Sequence, residues 1–227
     1  LGGSLHVTFG NGSFIAAGQE YLLGYFEGTV TGQFANATEG AVVHSQGNLQ
    51  VEVSYLLGDG NDFGLVVTSV DAVQPFGRKL LDGVEVGGTI GDSDDSDDVY
   101  YELDPSPTNN PAKQIVEMIL LGESPVNNPS SFSFRLEAAM SGGPEGDIIQ
   151  TIELWNETDQ VWEVLDTRPA SNTDSTVHVT ATGDLTRFIH PLTDEIIAKV
   201  KWVSHDFADA PFEWSVNIDL LGWLIGC

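Results

Sequence analysis

The sequence predicts an all-β chain: an antiparallel β-sandwich, jelly-roll-like, preceded by a smaller β module. Three observations lead there. Apolar and polar residues alternate with a period of two in one run after another. The runs are short and are separated by clusters of Gly, Pro, Asn and Asp such as "GDGND", "PSPTNNP", "SGGPEGD" and "NETDQ". No stretch reads as a long helix, and many short strands with such turns build sandwiches or barrels.

Taken in order, "SLHVTF" sets Leu5, Val7 and Phe9 against Ser4, His6 and Thr8. "LQVEVSY" sets Leu49, Val51, Val53 and Tyr55 against Gln50, Glu52 and Ser54. "LLGDGNDFGLVV" is a glycine-aspartate turn falling into an apolar strand. A boundary is expected near 70–78, giving a β module over 1–70, a linker over 71–78 containing "AVQPFG", and a sandwich module over 79–227. Within the second module an acidic run, "GDSDDSDD", separates "VEVGGTI" from "VYYEL". "SFSFRLEAA" places Phe132, Phe134, Leu136 and Ala138 on one face. "IIQTIELWNETDQVWEVLDTR" reads as a hairpin looping through Asn156 to Gln160. "WSVNID" places Trp214, Val216 and Ile218 together, and Trp202 shares the face of Val200, so both indoles are expected inside.

The totals restrict the partners. In 227 residues there are 34 acidic and 8 basic side chains, a net charge of −26. That field repels phosphate backbones and anionic membrane surfaces and attracts divalent cations, so nucleic acid is not expected as a partner. No apolar run reaches membrane-spanning length, so membrane insertion is not expected either. No lysine or arginine precedes Arg78, so the first third has no such cation for its own carboxylates. With Cys227 the single cysteine, no intrachain disulfide can form. The chain opens at Leu1 in mid-pattern and is expected to be tethered to a longer parent.

Two resemblances add to this. "GGSLHVTFGNGS", "AAGQEYLLGYFEGTVTGQFANATEGAVV" and "VEVSYLLGDGNDFGLVV" make residues 1–70 resemble the terminal module of secreted bacterial β-helix and autotransporter-like proteins. There, "FAGLPEGAVV" is usual where this chain has "FANATEGAVV", and Phe63-Gly64 here interrupts the usual Val-Val. From about 79 to 227 the chain resembles an uncharacterised module of large secreted planctomycete-type bacterial proteins. The carrying segments are "SFSFRLEAAM", "IIQTIELWNETDQVWEVLDTR", "GDLTRFI", "AKVKW" and "WSVNIDLLGWLI". Together the resemblances imply secretion, an extracellular or cell-surface location and a β-sandwich near the end of a multi-part protein. They imply no activity.

The chemistry-bearing motifs are few. Asp59 and Asp62 sit in one copy of a glycine-aspartate turn that, repeated in tandem, binds calcium; alone, it reads as a bend opening a strand. Asp92, Asp94, Asp95, Asp97 and Asp98 have the alternate carboxylates calcium favours, without the glycine and bidentate Glu of an EF-hand. A solvated acidic loop is the competing reading, with calcium the specific cofactor expected if any binds. Ser204, His205 and Asp206 are consecutive, and neighbours on a strand point to opposite faces, so they cannot converge as a relay. Glu153 and Glu163 would need to face one another across a cleft to act as a glycosidase pair, and the hairpin is expected to leave both exposed on neighbouring strands. No nucleophile elbow, zinc spacing or phosphate loop appears, and no enzyme activity is expected.

Trp155 follows Thr151 and Glu153 on the polar face of its strand, and Trp162 follows the turn directly. These two are the expected ligand-binding aromatics, against the alternative of packing as a hairpin pair. The expected function is a non-catalytic extracellular structural or adhesive module contacting a cell-surface matrix. The alternative is a carbohydrate-binding module of a secreted polysaccharide-degrading enzyme.

Overall fold

The computed structural model describes residues 3–7, 18–26, 31–46, 49–58, 60, 62–106, 114–142, 146–204 and 213–226. They belong to two compact units, Leu1–Asp71 with Gly226–Cys227, and Ala72–Ile225. Strands dominate both; the only described helical segments are two 3₁₀ turns, Ile90–Ser93 and Leu185–Phe188.

In the first unit, β1 (Glu20–Gly24), β2 (Val42–Gln46), β3 (Leu49–Leu57) and β4 (Asp62–Val73) form an antiparallel sheet in the order β1-β4-β3-β2. Its core holds Val51, Val53, Tyr55, Phe63, Leu65 and Val67, the side of each strand that the alternation marks as apolar. The "LLGDGNDFGLVV" turn joins β3 to β4, with Leu57 opposite Asp62 and Gly58 and Gly60 at positive φ. An added Cβ at Gly58 would collide with the Asp62 carboxylate, so this position needs both the φ and the absent side chain.

The expected first strand is not formed over Ser4–Val7, and Thr8 and Phe9 lie outside the described residues. Alternation marks a face, but a strand also needs a backbone partner. Here an amide side chain substitutes for one. Leu5 N donates to Asn36 Oδ1 (2.8 Å), and Asn36 Nδ2 donates to Leu5 O (2.9 Å).

The second unit is the jelly-roll-like sandwich. One sheet runs β12 (Ser175–Thr180), β9 (Ser131–Gly142), β14 (Trp214–Gly226), β7 (Tyr101–Asp104), β6 (Val84–Gly87). The other runs β11 (Val161–Pro169), β10 (Ile148–Asn156), β13 (Glu195–Ser204), β8 (Ile115–Glu123), β5 (Gly77–Asp82), antiparallel throughout. Phe132, Phe134, Leu136, Val216 and Trp223 from the first sheet share a core with Met118, Leu120, Ile152, Val200 and Trp202 from the second. Trp202 and Trp214 are buried, and each indole N–H finds an acceptor, Gln150 Oε1 at 3.1 Å and Gln114 Oε1 at 2.8 Å. The sheets approach closely at Gly122, where a Cβ would lie 2.7 Å from the Trp223 ring.

The β10–β11 hairpin turns over Glu157–Gln160. Gln160 N donates to Asn156 O (2.8 Å), and Gln160 takes positive φ. The register shifts past Glu153, and the extra residue on β11 turns Leu165 toward the core. Between the turn and the bulge, Trp162 and Val164 lie on the outer face.

Candidate functional site

On the outer face of the five-stranded sheet, alternation brings side chains from all five strands together. The register aligns Val164, Glu153, Lys199, Ile119 and Lys79 in one row across it. Thr167, Thr151, Lys201, Glu117 and Asp82 form another. Adjacent to the first row, at the hairpin end, Trp155 and Trp162 are direct cross-strand partners. Their ring centroids are 5.3 Å apart and the planes meet at 62°, the edge-to-face arrangement aromatic quadrupoles favour. Both expected aromatics are therefore brought together and half-buried as a pair.

Charge within these two rows is balanced. Lys199 is ion-paired with Glu153 and lies 3.9 Å from Glu117, and Lys201 lies 3.7 Å from the same Glu117. The Lys199 ammonium also stands 4.4 Å over the Trp162 ring. Its side chain is only 13% exposed, so its stem covers the sheet while its head binds carboxylates. Adding Lys79 and Asp82 leaves three cations against three carboxylates. Further along the same face the register adds Glu195 beside Glu123, so the balance belongs to these two rows and the face as a whole is mildly negative. It offers hydroxyl, ammonium and carboxylate groups in rows beside indole rings.

The residues of the acidic run divide among several contacts. Asp92 holds the first 3₁₀ turn, accepting from Thr89 N (2.6 Å) and Thr89 Oγ1 (3.1 Å). The Asp94 carbonyl accepts from Gln74 Nε2 (2.7 Å). The Asp95 carboxylate supports the charge of Arg135, whose pKa burial nevertheless pulls down. Asp97 accepts from Val99 N, 3.1 Å away. Only Asp98 joins a carboxylate cluster: one oxygen each from Asp98, Asp174 and Asp219 lie within 4.8 Å of one another. Asp219 is buried on β14 and accepts from Asp97 N (3.2 Å). Burial raises the Asp174 carboxyl, and Glu137, Asp219 and Asp98 push it the same way. These are the hard oxygen donors calcium takes, though three fall short of its usual six to eight. Neither Asp174 nor Asp219 carries a sequence signal linking it to Asp98.

In the first unit, Asp62 is almost fully buried and its carboxylate accepts from Phe26 N at 2.9 Å. Asp59, His205, Asp206 and Cys227 lie outside the described residues.

Glu153 and Glu163 do not face one another. Glu153 stands opposite Val164 and points outward, whereas Glu163 stands opposite Leu154 and points to the other side of the sheet. Each is half-buried and tied to a cation rather than exposed. Arg187 grips both Glu163 oxygens at 2.9 Å, and with Asn156 it holds that carboxyl below the usual carboxylate range. Sequence reading missed Arg187, which lies 24 residues from its partner.

No protein-family model matches the chain, and no curated protein matches it in sequence. Among solved structures it is similar to a family 28 carbohydrate-binding module specific for non-crystalline cellulose, with a TM-score of 0.36 and 11% identity, covering 62% of this chain and 78% of that one. It is also similar to a family 29 carbohydrate-binding module, at 0.30 and 10%, covering 65% and 88%. A third is the enzymatically active domain of bacteriophage CBA120 tailspike protein 4, at 0.35 and 9%; the match takes in 65% of this chain and only 19% of the tailspike. At these values the likeness bears on neither the binding nor the activity of this chain.

Proposed function

We propose that the sandwich is a non-catalytic carbohydrate-binding module of an extracellular protein, and that its ligand is a neutral polysaccharide lying on the outer face of the β11-β10-β13-β8-β5 sheet. The observation that carries this reading is the pair of charge-balanced rows beside the Trp155–Trp162 pair. Sugar rings present C–H faces that pack on indoles and hydroxyls that bond to ammonium, carboxylate and hydroxyl groups. The rows offer no surplus cation to an anionic polymer, and Glu123, Glu195 and the surrounding negative field repel one. The resemblances noted above support a secreted bacterial parent, in which such a module would anchor the rest of the chain to a matrix.

The test is affinity electrophoresis of the soluble chain in gels containing neutral or sulfated polysaccharides. Retardation by at least one neutral polymer and by no sulfated one is expected. Trp162→Ala should weaken that binding about tenfold or more, as loss of a central aromatic anchor does. Absence of retardation by every neutral polymer, or binding unchanged in Trp155→Ala/Trp162→Ala, would overturn the reading.

A further inference from the structure

Beyond the hairpin end of that sheet lies a cavity of about 460 Å³, lined by Asn127, Glu157, Thr158, Thr186, Ile189 and Pro191. Its volume falls within the roughly 300–1,000 Å³ usual for small-molecule sites. Three segments build it: the β8–β9 connection, the β10–β11 turn, and the 3₁₀ turn with the residues after it.

Two of these walls are fastened together. Glu157 N donates to Arg187 O (2.7 Å), and the Arg187 guanidinium holds Glu163 on the neighbouring strand. Asn156 bonds to Glu163 and to Asp159, fixing the turn itself. The cavity is therefore preorganised and does not depend on a ligand to assemble it.

Its lining has unspent hydrogen-bonding capacity. The Asn127 amide and the Thr158 hydroxyl have no partner among the described residues. Glu157 Oε2 accepts from Gln160 Nε2 (3.0 Å), which leaves the other oxygen open. Thr186 Oγ1 donates to Asp184 (2.7 Å) and keeps its lone pairs. Against these polar atoms stand the buried Ile189 and the exposed ring of Pro191. A small apolar floor with amide, hydroxyl and carboxylate groups around it is the complement of a pyranose, which has one C–H face and a rim of hydroxyls. Glu157, Asp159 and Asp184 give this end a negative field, while Arg187 is already committed to Glu163. Anionic sugars are thus disfavoured.

We infer that this cavity is a second carbohydrate subsite, which takes one neutral sugar ring end-on, separately from the sheet face. The inference rests on the carbohydrate reading for its ligand class but not on the Trp155–Trp162 face for its geometry.

The experiment is protein-observed NMR of the whole chain, titrated with glucose, galactose, mannose or N-acetylglucosamine, with glucuronate as the anionic control. At least one neutral sugar should give saturable shifts at the Glu157, Thr158 and Thr186 amides, with affinity on the order of millimolar. Glucuronate should give none. Trp162→Ala should leave these shifts intact, and Asn127→Ala/Thr158→Val should weaken them about tenfold, the combined loss of two ordinary hydrogen bonds. Glu157→Gln is a second variant, expected to weaken the neutral sugar if the double variant does not fold. No saturable shift at those amides with any neutral sugar overturns the inference, as do shifts that survive in the cavity variants. If neutral oligosaccharides move the Trp155 and Trp162 indole resonances while the cavity amides stay still, this inference fails and the sheet-face reading stands. Cavity shifts without indole shifts would overturn the sheet-face reading and support the subsite.

Discussion

Breaking the Arg187–Glu163 pair should cost the sandwich a large part of its stability, by an amount the geometry sets. Arg187 makes two near-equal bonds of 2.9 Å to the Glu163 carboxylate and two more to the carbonyls of Thr182 (2.9 Å) and Asp184 (2.5 Å). Its side chain is 19% exposed and that of Glu163 29%, so water screens the pair only in part. A bidentate, partly buried pair should couple by about 1.5 kcal/mol. The carbonyl bonds add about 0.5–1 kcal/mol each, so Arg187→Ala should lose about 3 kcal/mol in all. All five tryptophans lie after residue 150, so urea unfolding followed by tryptophan fluorescence reports on the sandwich unit alone. The cycle is Arg187→Ala, Glu163→Gln and the double variant at neutral pH. The sign with pH follows from the depressed Glu163 carboxyl. Its contribution is complete above the ordinary value of 4.5 and is lost as pH falls through the lower folded value. A coupling below about 0.3 kcal/mol at neutral pH, the usual limit of additivity, would refute this account.

Gly122→Ala places a methyl 2.7 Å from the Trp223 ring and 3.1 Å from Ile196 between two closed layers, and should cost about 1–3 kcal/mol in the same unfolding assay. An unchanged midpoint would mean the layers are free to part. In the first unit, burial first, then Glu39, raises the Glu52 carboxyl, against a bond from Thr68 that lowers it. A raised carboxyl penalises the folded state above its pKa, so Glu52→Gln should raise the amide protection factors along β3 at neutral pH, and acidification should raise them in the parent chain once the intrinsic exchange rate is divided out. Faster exchange in Glu52→Gln would show that the charge is instead favourably held. Asp174→Asn, measured in chelator, should stabilise the sandwich by about half a kcal/mol by relieving repulsion from Glu137, Asp219 and Asp98, a figure already reduced for its exposure. A lower urea midpoint would contradict that sign.

Alternation made most of the sandwich legible in the sequence. It separates inward Trp202 and Trp214 from outward Trp155, because side-chain direction in a strand follows from position alone. The hairpin was legible because "NETDQ" stands between two alternating runs, and the hairpin makes Trp155 and Trp162 partners. What the sequence hid depends on contacts between distant segments. Asp98, Asp174 and Asp219 meet only because two loops come together over one strand, β14. The cavity needs three connections to meet at one end, and no spacing rule encodes that. Glu153 and Glu163 mislead for a different reason. Across the four-residue turn Glu153 pairs with Val164 and Glu163 with Leu154, which puts the two carboxylates on opposite sides of the sheet, and each already has a cation. Ser4–Val7 has a strand's pattern, but the Asn36 amide occupies the place of a strand's partner.

The placement of the basic residues makes electrolyte act differently on the two units. Residues 1–71 contain seven carboxylates and no lysine or arginine, while Arg78, Arg168, Arg187, Lys199 and Lys201 are all ion-paired in the sandwich. Dissolved ions shorten the reach of charge to about 10 Å at 0.1 M and about 3 Å at 1 M. In the first unit that shortening only removes repulsion; in the second, which holds 27 carboxylates against 8 basic residues, it removes repulsion and also weakens the ion pairs, least where they are half-buried. Brackish or marine water would thus firm the first unit, which has no lysine or arginine pair to lose, and would relieve repulsion in the sandwich while its half-buried pairs persist.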